Sequence, residues 1–163
     1  MSRMEILRKE VEKSYFTEAW YPPLQPVLEG LTAAQASWRP PGEAANTIWE
    51  YVNHLLYYQE RFLERIKGGS PAYPASTNDD TFTVEAPDDE AAWQATVKRV
   101  EEVYQGLRDV LATLPEEAYD RPLSGGSLGE TLLNLLTHAA YHTGQIVQIR
   151  KMQGSWPARR SFD

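Results

Sequence analysis

Seven apolar residues, Trp93, Val97, Val100, Tyr104, Leu107, Leu111 and Leu114, recur at alternating spacings of four and three. An α-helix turns once in about 3.6 residues, so this spacing draws one unbroken apolar stripe down a helix of about three heptads. A stripe of that length has to be covered by other elements. The pattern is the one an antiparallel bundle helix requires, and it constrains the fold more than any other feature of the chain.

Three more segments supply partners for it. A first helix is predicted from about Met4 to Tyr21, with Met4, Leu7, Val11, Tyr15 and Phe16 near one side and Pro22 and Pro23 to stop it. A short connector runs through Leu31 to the turn-rich "WRPPGEAAN". The second helix opens at Thr47, which forms a capping-box pattern with Glu50. Ile48, Val52, Leu55, Phe62 and Ile66 then recur at helical spacing, and Gly68 and Gly69 end the run. The striped helix is the third; it begins at Asp88 or Asp89 and ends near Pro115. The fourth opens with another capping box, Ser127 and Glu130, and carries Leu132, Leu135, Ala139, His142, Ile146 and Ile149 before Gly154 and Pro157.

No internal repeat and no strand pattern is visible, so the predicted fold is all-α: one four-helix-bundle domain over residues 1–163. Residues 68–87, rich in Pro, Ser, Thr and Asp, form a long crossover between the second and third helices. The second helix is about 30 Å long at 1.5 Å per residue, whereas an extended chain of about 20 residues reaches about 60 Å. The crossover can therefore return to its starting end, which favours up-down-down-up over up-down-up-down.

Composition narrows the partners. The net charge is −7, and phosphate binding needs a basic face, so nucleic acid is not an expected partner. Arg150, Lys151, Arg159 and Arg160 are the nearest thing to a basic cluster. The first two suit a helix C-terminus, where cations complement the macrodipole. The chain has no cysteine, which removes disulfides, thiolate ligands and a cysteine nucleophile together. The charged "MSRMEILRKEVEKSYF" does not resemble a signal peptide, and no run has the length of a membrane span. A cytoplasmic protein without a membrane partner is expected. Five Trp and nine Tyr are generous for one bundle core, and an apolar interface in a homodimer would use them.

The chain spends its three histidines in a particular way. His138 and His142 stand four apart in "HAAYHTGQIVQIRK". Side chains at i and i+4 share a helix face, which lets two imidazoles converge on one ion. His54 lies on the second helix, in line with Tyr51, Tyr58 and Phe62 beside the apolar stripe. A lone histidine on such a face is ordinarily a core or boundary residue, and spacing by itself leaves both readings open. The zincin pattern H-E-x-x-H is excluded, because position 139 is Ala.

Two stretches, "SWRPPGEAANTIWEYVNHLLYYQERFLERIKGG" and "LLNLLTHAAYHTGQIVQIRKMQGSWP", resemble the signature regions of the DinB/YfiT-like family. The most specific pieces are "WRP", the isolated "NH" and "HAAYHTGQI". The resemblance implies a four-helix bundle of up-down-down-up topology. It also implies one divalent metal ion per chain, held by His54, His138 and His142, and it points to a homodimer. It leaves the reaction open: the family includes thiol-dependent transferases and isomerases and metal-dependent hydrolases.

Three neutral imidazoles leave the charge of the ion intact and at least one coordination position open, the pattern of a catalytic site. Nitrogen ligands suit zinc, nickel or iron, so the metal is not fixed. The expected partner is a small-molecule substrate or a low-molecular-weight thiol. A thiol-dependent S-transferase is the first reading and a metal-dependent hydrolase the second. The alternative is a stress-related, non-catalytic protein that binds metal or another ligand. Glu50 can be read as an orienter of His54 or as the cap with Thr47; Tyr58, Tyr141, Asn134 and Gln145 as substrate contacts or as packing residues. No catalytic residue is assigned.

Overall fold

The computed structural model describes residues 1–158. Arg159 and Arg160 of the basic cluster lie outside the described residues. The chain is mostly helical, with α1 (Arg3–Tyr15), α2 (Leu24–Leu28), α3 (Ala33–Ala36), α4 (Ile48–Ile66), α5 (Glu90–Thr113) and α6 (Leu128–Met152). A two-residue antiparallel ladder joins β1 (Pro122–Leu123) to β2 (Gly126–Ser127) just before α6. No strand was expected from the sequence; at two residues, this one is too short to show a periodicity.

The caps fall where the sequence placed them. Thr47 and Glu50 close a reciprocal box at α4, as do Ser127 and Glu130 at α6. Asp89 accepts from the backbone N–H of Ala92 at the start of α5. Each satisfies donors that the first helical turn leaves without partners.

Two expectations need correction. The first helix ends at Tyr15 rather than Tyr21. The N–H groups of Phe16 and Thr17 both donate to the carbonyl of Glu12, at 2.8 Å each, which closes the helix. Thr17-Glu18-Ala19 offers no large apolar side chain to hold a further turn on the core, and Trp20 is fully exposed. The connector to α4 is also more than a turn. It contains α2, which buries Leu24, Val27 and Leu28, and α3, capped by a Thr32–Gln35 box.

The stripe of α5 is the seam of the core. Trp93, Val100, Tyr104, Leu107 and Leu111 are all buried. On one side they meet α4: the ring of Trp93 stands edge-on to Trp49 at 5.3 Å, and the Trp49 indole N–H donates to Thr96 at 3.2 Å. Further along, Arg99 pairs with Glu60, and Gly106 leaves room for Leu63, whose Cδ2 would lie 2.7 Å from an added Cβ. On the other side they meet α1. Tyr15 stacks on Tyr104 at 4.5 Å, Arg108 grips both carboxylate oxygens of Glu12 at 2.6 Å, and Arg8 donates to the carbonyls of Leu111 and Leu114. Arg150 does more than complement a helix terminus: it is buried and donates to the carbonyls of Val27 and Ser155, tying α2 to the end of α6.

The crossover is pinned along α4. Arg61 donates to the carbonyl of Ala72 at 2.6 Å, Tyr57 accepts from the N–H of Ala75, and Asn53 donates to the carbonyl of Thr83 at 2.7 Å. A single 3-10 turn, Asp79–Phe82, presses its Thr81 and Phe82 against the helix. Among the described residues no helix is long and apolar enough to cross a membrane.

Candidate metal centre

α4 and α6 pack directly on one another, and the three histidines meet at their contact. His138 Nε2 lies 3.0 Å from His54 Nε2 and 2.9 Å from His142 Nε2. His54 and His142 are buried, and His138 is half-buried. The 84-residue gap between His54 and His138 is closed by packing alone. The i, i+4 pair needs only the helix.

The opposite ring nitrogens are also engaged. His142 Nδ1 lies 2.5 Å from Gln145 Oε1, an acceptor, so it donates and leaves Nε2 with a lone pair. His54 Nδ1 lies 2.6 Å from Thr81 Oγ1. Phe82 stacks flat on the His54 ring, 4.0 Å between centroids and 9° between planes. Tyr51 and Tyr141 stand beside His142 at 5.1 and 5.0 Å.

These facts test whether a cation fits. A neutral His138 carries at most one proton on Nε2, and one proton cannot lie linearly in both of its short Nε2 contacts. Because His142 Nε2 is bare, at least one of the two contacts at about 3 Å is therefore left without a hydrogen bond. That arrangement is costly for imidazoles alone and is what a shared divalent ion relieves. The donor set, three imidazoles drawn from two helices, fits a zinc, nickel or iron ion.

Electrostatics point the same way. Burial, reinforced by the two neighbouring imidazoles, pushes His54 down to about 4. Burial and the nearness of His142 lower His138, and burial lowers His142 against the opposing effect of its hydrogen bond to Gln145. The fold thus presents neutral ligands at neutral pH. In metal-free protein the unfolded chain takes up a proton near 6.5 and the folded chain only near 4. Stability supplied by neutral His54 is complete above about 6.5 and is lost as pH falls towards 4. Urea denaturation of chelator-treated protein should therefore show a midpoint that drops between those pH values and is flat above them.

Beside the histidines opens a cleft of about 310 Å³, lined by His54, Tyr58, Asn78, Asn134, Leu135 and His138, with Thr131 at its edge. Tyr58 donates to Asn78 across it at 3.2 Å. A larger cleft of about 490 Å³, between α4, α5 and the crossover, contains none of the three histidines. Its two guanidinium groups are already paired, Arg99 with Glu60 and Arg61 with backbone carbonyls.

Of the sequence candidates, the three histidines come together, and Tyr58 and Asn134 line the cleft beside them. Gln145 holds His142. Glu50 does not reach His54; its carboxylate accepts from the N–H of Thr47 at 2.7 Å and pairs with Arg39. The partner of His54 is Thr81, which lies in a segment without helical pattern and was not among the candidates. The signal for it was local: Thr77-x-x-Asp80 is a reciprocal turn motif, in which Asp80 accepts from the N–H of Thr77 at 2.7 Å and so shapes the turn that carries Thr81.

The fold and site define a helical protein with a three-histidine cluster between two long helices. A sequence profile of the DinB superfamily matches residues 16–146, which is most of the chain and includes all three histidines; the chain belongs to the DinB superfamily. No curated protein and no solved structure gives a match.

Proposed function

We propose that the protein holds one divalent metal ion through Nε2 of His54, His138 and His142 and acts on a small molecule in the adjoining cleft. The observation that carries this reading is the convergence of three Nε2 atoms at 2.9–3.0 Å at the edge of that cleft. A divalent ion held by only three side chains would supply Lewis acidity with a coordination position left for an outside ligand. The three imidazoles bring no negative charge, so the site favours an anionic partner. Tyr58, Asn78 and Asn134 offer uncharged hydrogen-bonding groups to orient it, and Leu135 offers an apolar wall.

The reaction we favour is transfer to or from a low-molecular-weight thiol. No carboxylate lines the cleft among the described residues, so the chain supplies no evident general base there. A thiol, with an ordinary pKa of about 8.5, gives up its proton far more readily than water and suits such a site. Metal-loaded protein should consume a small thiol in the presence of an electrophilic acceptor, and chelation should abolish this. Turnover of esters or amides without a thiol would assign hydrolysis instead. Stoichiometric metal binding with no turnover of either kind would assign a binding protein.

The four long helices are proposed to run up-down-down-up. Support comes from the order of contacts: Trp49 with Trp93 and Leu63 with Gly106 ascend together on α4 and α5. Glu12 with Arg108 and Arg8 with Leu111 oppose each other on α1 and α5, as do Tyr51 with His142 and His54 with His138 on α4 and α6. A second copy of the chain is the proposed protein partner. Residues 131–149 of α6 carry no charged side chain, yet Leu133, Thr137, Tyr141 and Gln148 are exposed. In a chain of net charge −7, that face meets its own copy without like-charge repulsion. Light scattering at micromolar concentration should give twice the chain mass, and a monomer mass would refute the pairing.

A further inference from the structure

We infer that Thr81 is the positioning residue that decides which nitrogen of His54 is free for the metal. The inference rests on the metal-site reading above. A threonine hydroxyl has one hydrogen to donate and can accept as well. Thr81 Oγ1 is 2.6 Å from the carbonyl oxygen of Asn78 and 2.6 Å from His54 Nδ1. A carbonyl can only accept, so the hydroxyl hydrogen goes to Asn78. Thr81 must then accept from His54, whose Nδ1 carries the proton. Nε2 is left with its lone pair, 3.0 Å from His138 Nε2.

Three further observations make this a built arrangement. Thr81 is buried, with 5% of its surface exposed, so water does not compete for the hydroxyl. Phe82, the next residue, stacks on the imidazole and fixes its plane, while Thr81 fixes its proton. The crossover therefore sets both remaining freedoms of a ring carried by α4. The turn itself does not need the hydroxyl, because the backbone N–H of Thr81 already donates to the Asn78 carbonyl at 3.1 Å. Removing the hydroxyl therefore leaves the backbone bond that closes the turn. Groups that hold the far nitrogen of a metal-binding histidine typically govern affinity by about 10- to 100-fold.

The test has two readouts. In metal-free protein, nitrogen NMR of labelled histidine should show His54 protonated on Nδ1. Thr81→Val, close to isosteric, should move a substantial population to the Nε2-protonated tautomer, whereas Thr81→Ser should keep the parent signature. Zinc titration should show affinity reduced about 10- to 100-fold in Thr81→Val and largely restored in Thr81→Ser. Parent protein with His54 protonated on Nε2, or a folded Thr81→Val with unchanged tautomer and unchanged zinc affinity, would overturn the inference. Should Thr81→Val fail to fold, the parent tautomer and Thr81→Ser still decide it. A parent that binds neither zinc nor nickel would refute the metal-site reading, and the tautomer measurement would then judge Thr81 separately.

Discussion

Replacing His142 with alanine is expected to weaken zinc binding by more than about 100-fold, beyond the range seen when only an outer hydrogen-bond partner is lost. The substitution removes one of three converging nitrogens and breaks the i, i+4 pair that α6 presents ready-made. It also frees Gln145 from its bond to Nδ1. Helical content should survive. His142 lies among Tyr51, Phe82 and Tyr141 at one edge of the core, and alanine is the best helix former. Calorimetric titration together with far-ultraviolet circular dichroism separates the two effects. Loss of binding with unchanged helicity is the expected pair of results; retained tight binding would mean that His142 is not a ligand.

Trp93→Ala should do the reverse, damaging the fold while leaving the ligands in place. Trp93 is completely buried, edge-on to Trp49, and its indole N–H donates to the carbonyl of Leu31 at 2.7 Å. Truncating a buried tryptophan costs about 3–5 kcal/mol through lost transfer energy and the cavity left behind. The Leu31 carbonyl also loses its indole donor in a buried setting, a further cost of about 1–3 kcal/mol where no water replaces it. At about 2–4 °C per kcal/mol for a chain of this size, the melting temperature should fall by roughly 10–30 °C. Below that transition, zinc affinity should change little, since no histidine touches Trp93 in the packing described. A fall of only a few degrees would show that the α4–α5 seam is not the principal core.

These two residues show what the sequence made legible. Trp93 announces itself because it begins a seven-membered stripe, and a stripe that long leaves a helix no choice but burial. His138 and His142 announce themselves because their separation matches a helical turn, which is local geometry. His54 was tied to them only through the family pattern. Its approach to His138 depends on how α4 packs against α6, and no spacing encodes that. The end of α1 was misplaced because prolines mark where a helix must stop, not where it ceases to be held. Its real end follows from the absence of a large apolar side chain between Phe16 and Trp20. Thr81 was only half legible for a related reason: the Thr77-x-x-Asp80 turn that carries it is local, but its partner is 27 residues away, and the segment's course over α4 is set by hydrogen bonds with Asn53, Tyr57 and Arg61 rather than by a stripe.

The most direct test of the central claim is the metal content of gently purified protein, measured by elemental analysis and paired with zinc or nickel uptake by the parent and by His54→Ala. The three-histidine site predicts one divalent ion per chain in the parent and almost none in His54→Ala, although the two chains share the intact pair on α6. Native protein that contains no metal and takes up neither zinc nor nickel would contradict it, as would a His54→Ala protein that binds metal as tightly as the parent.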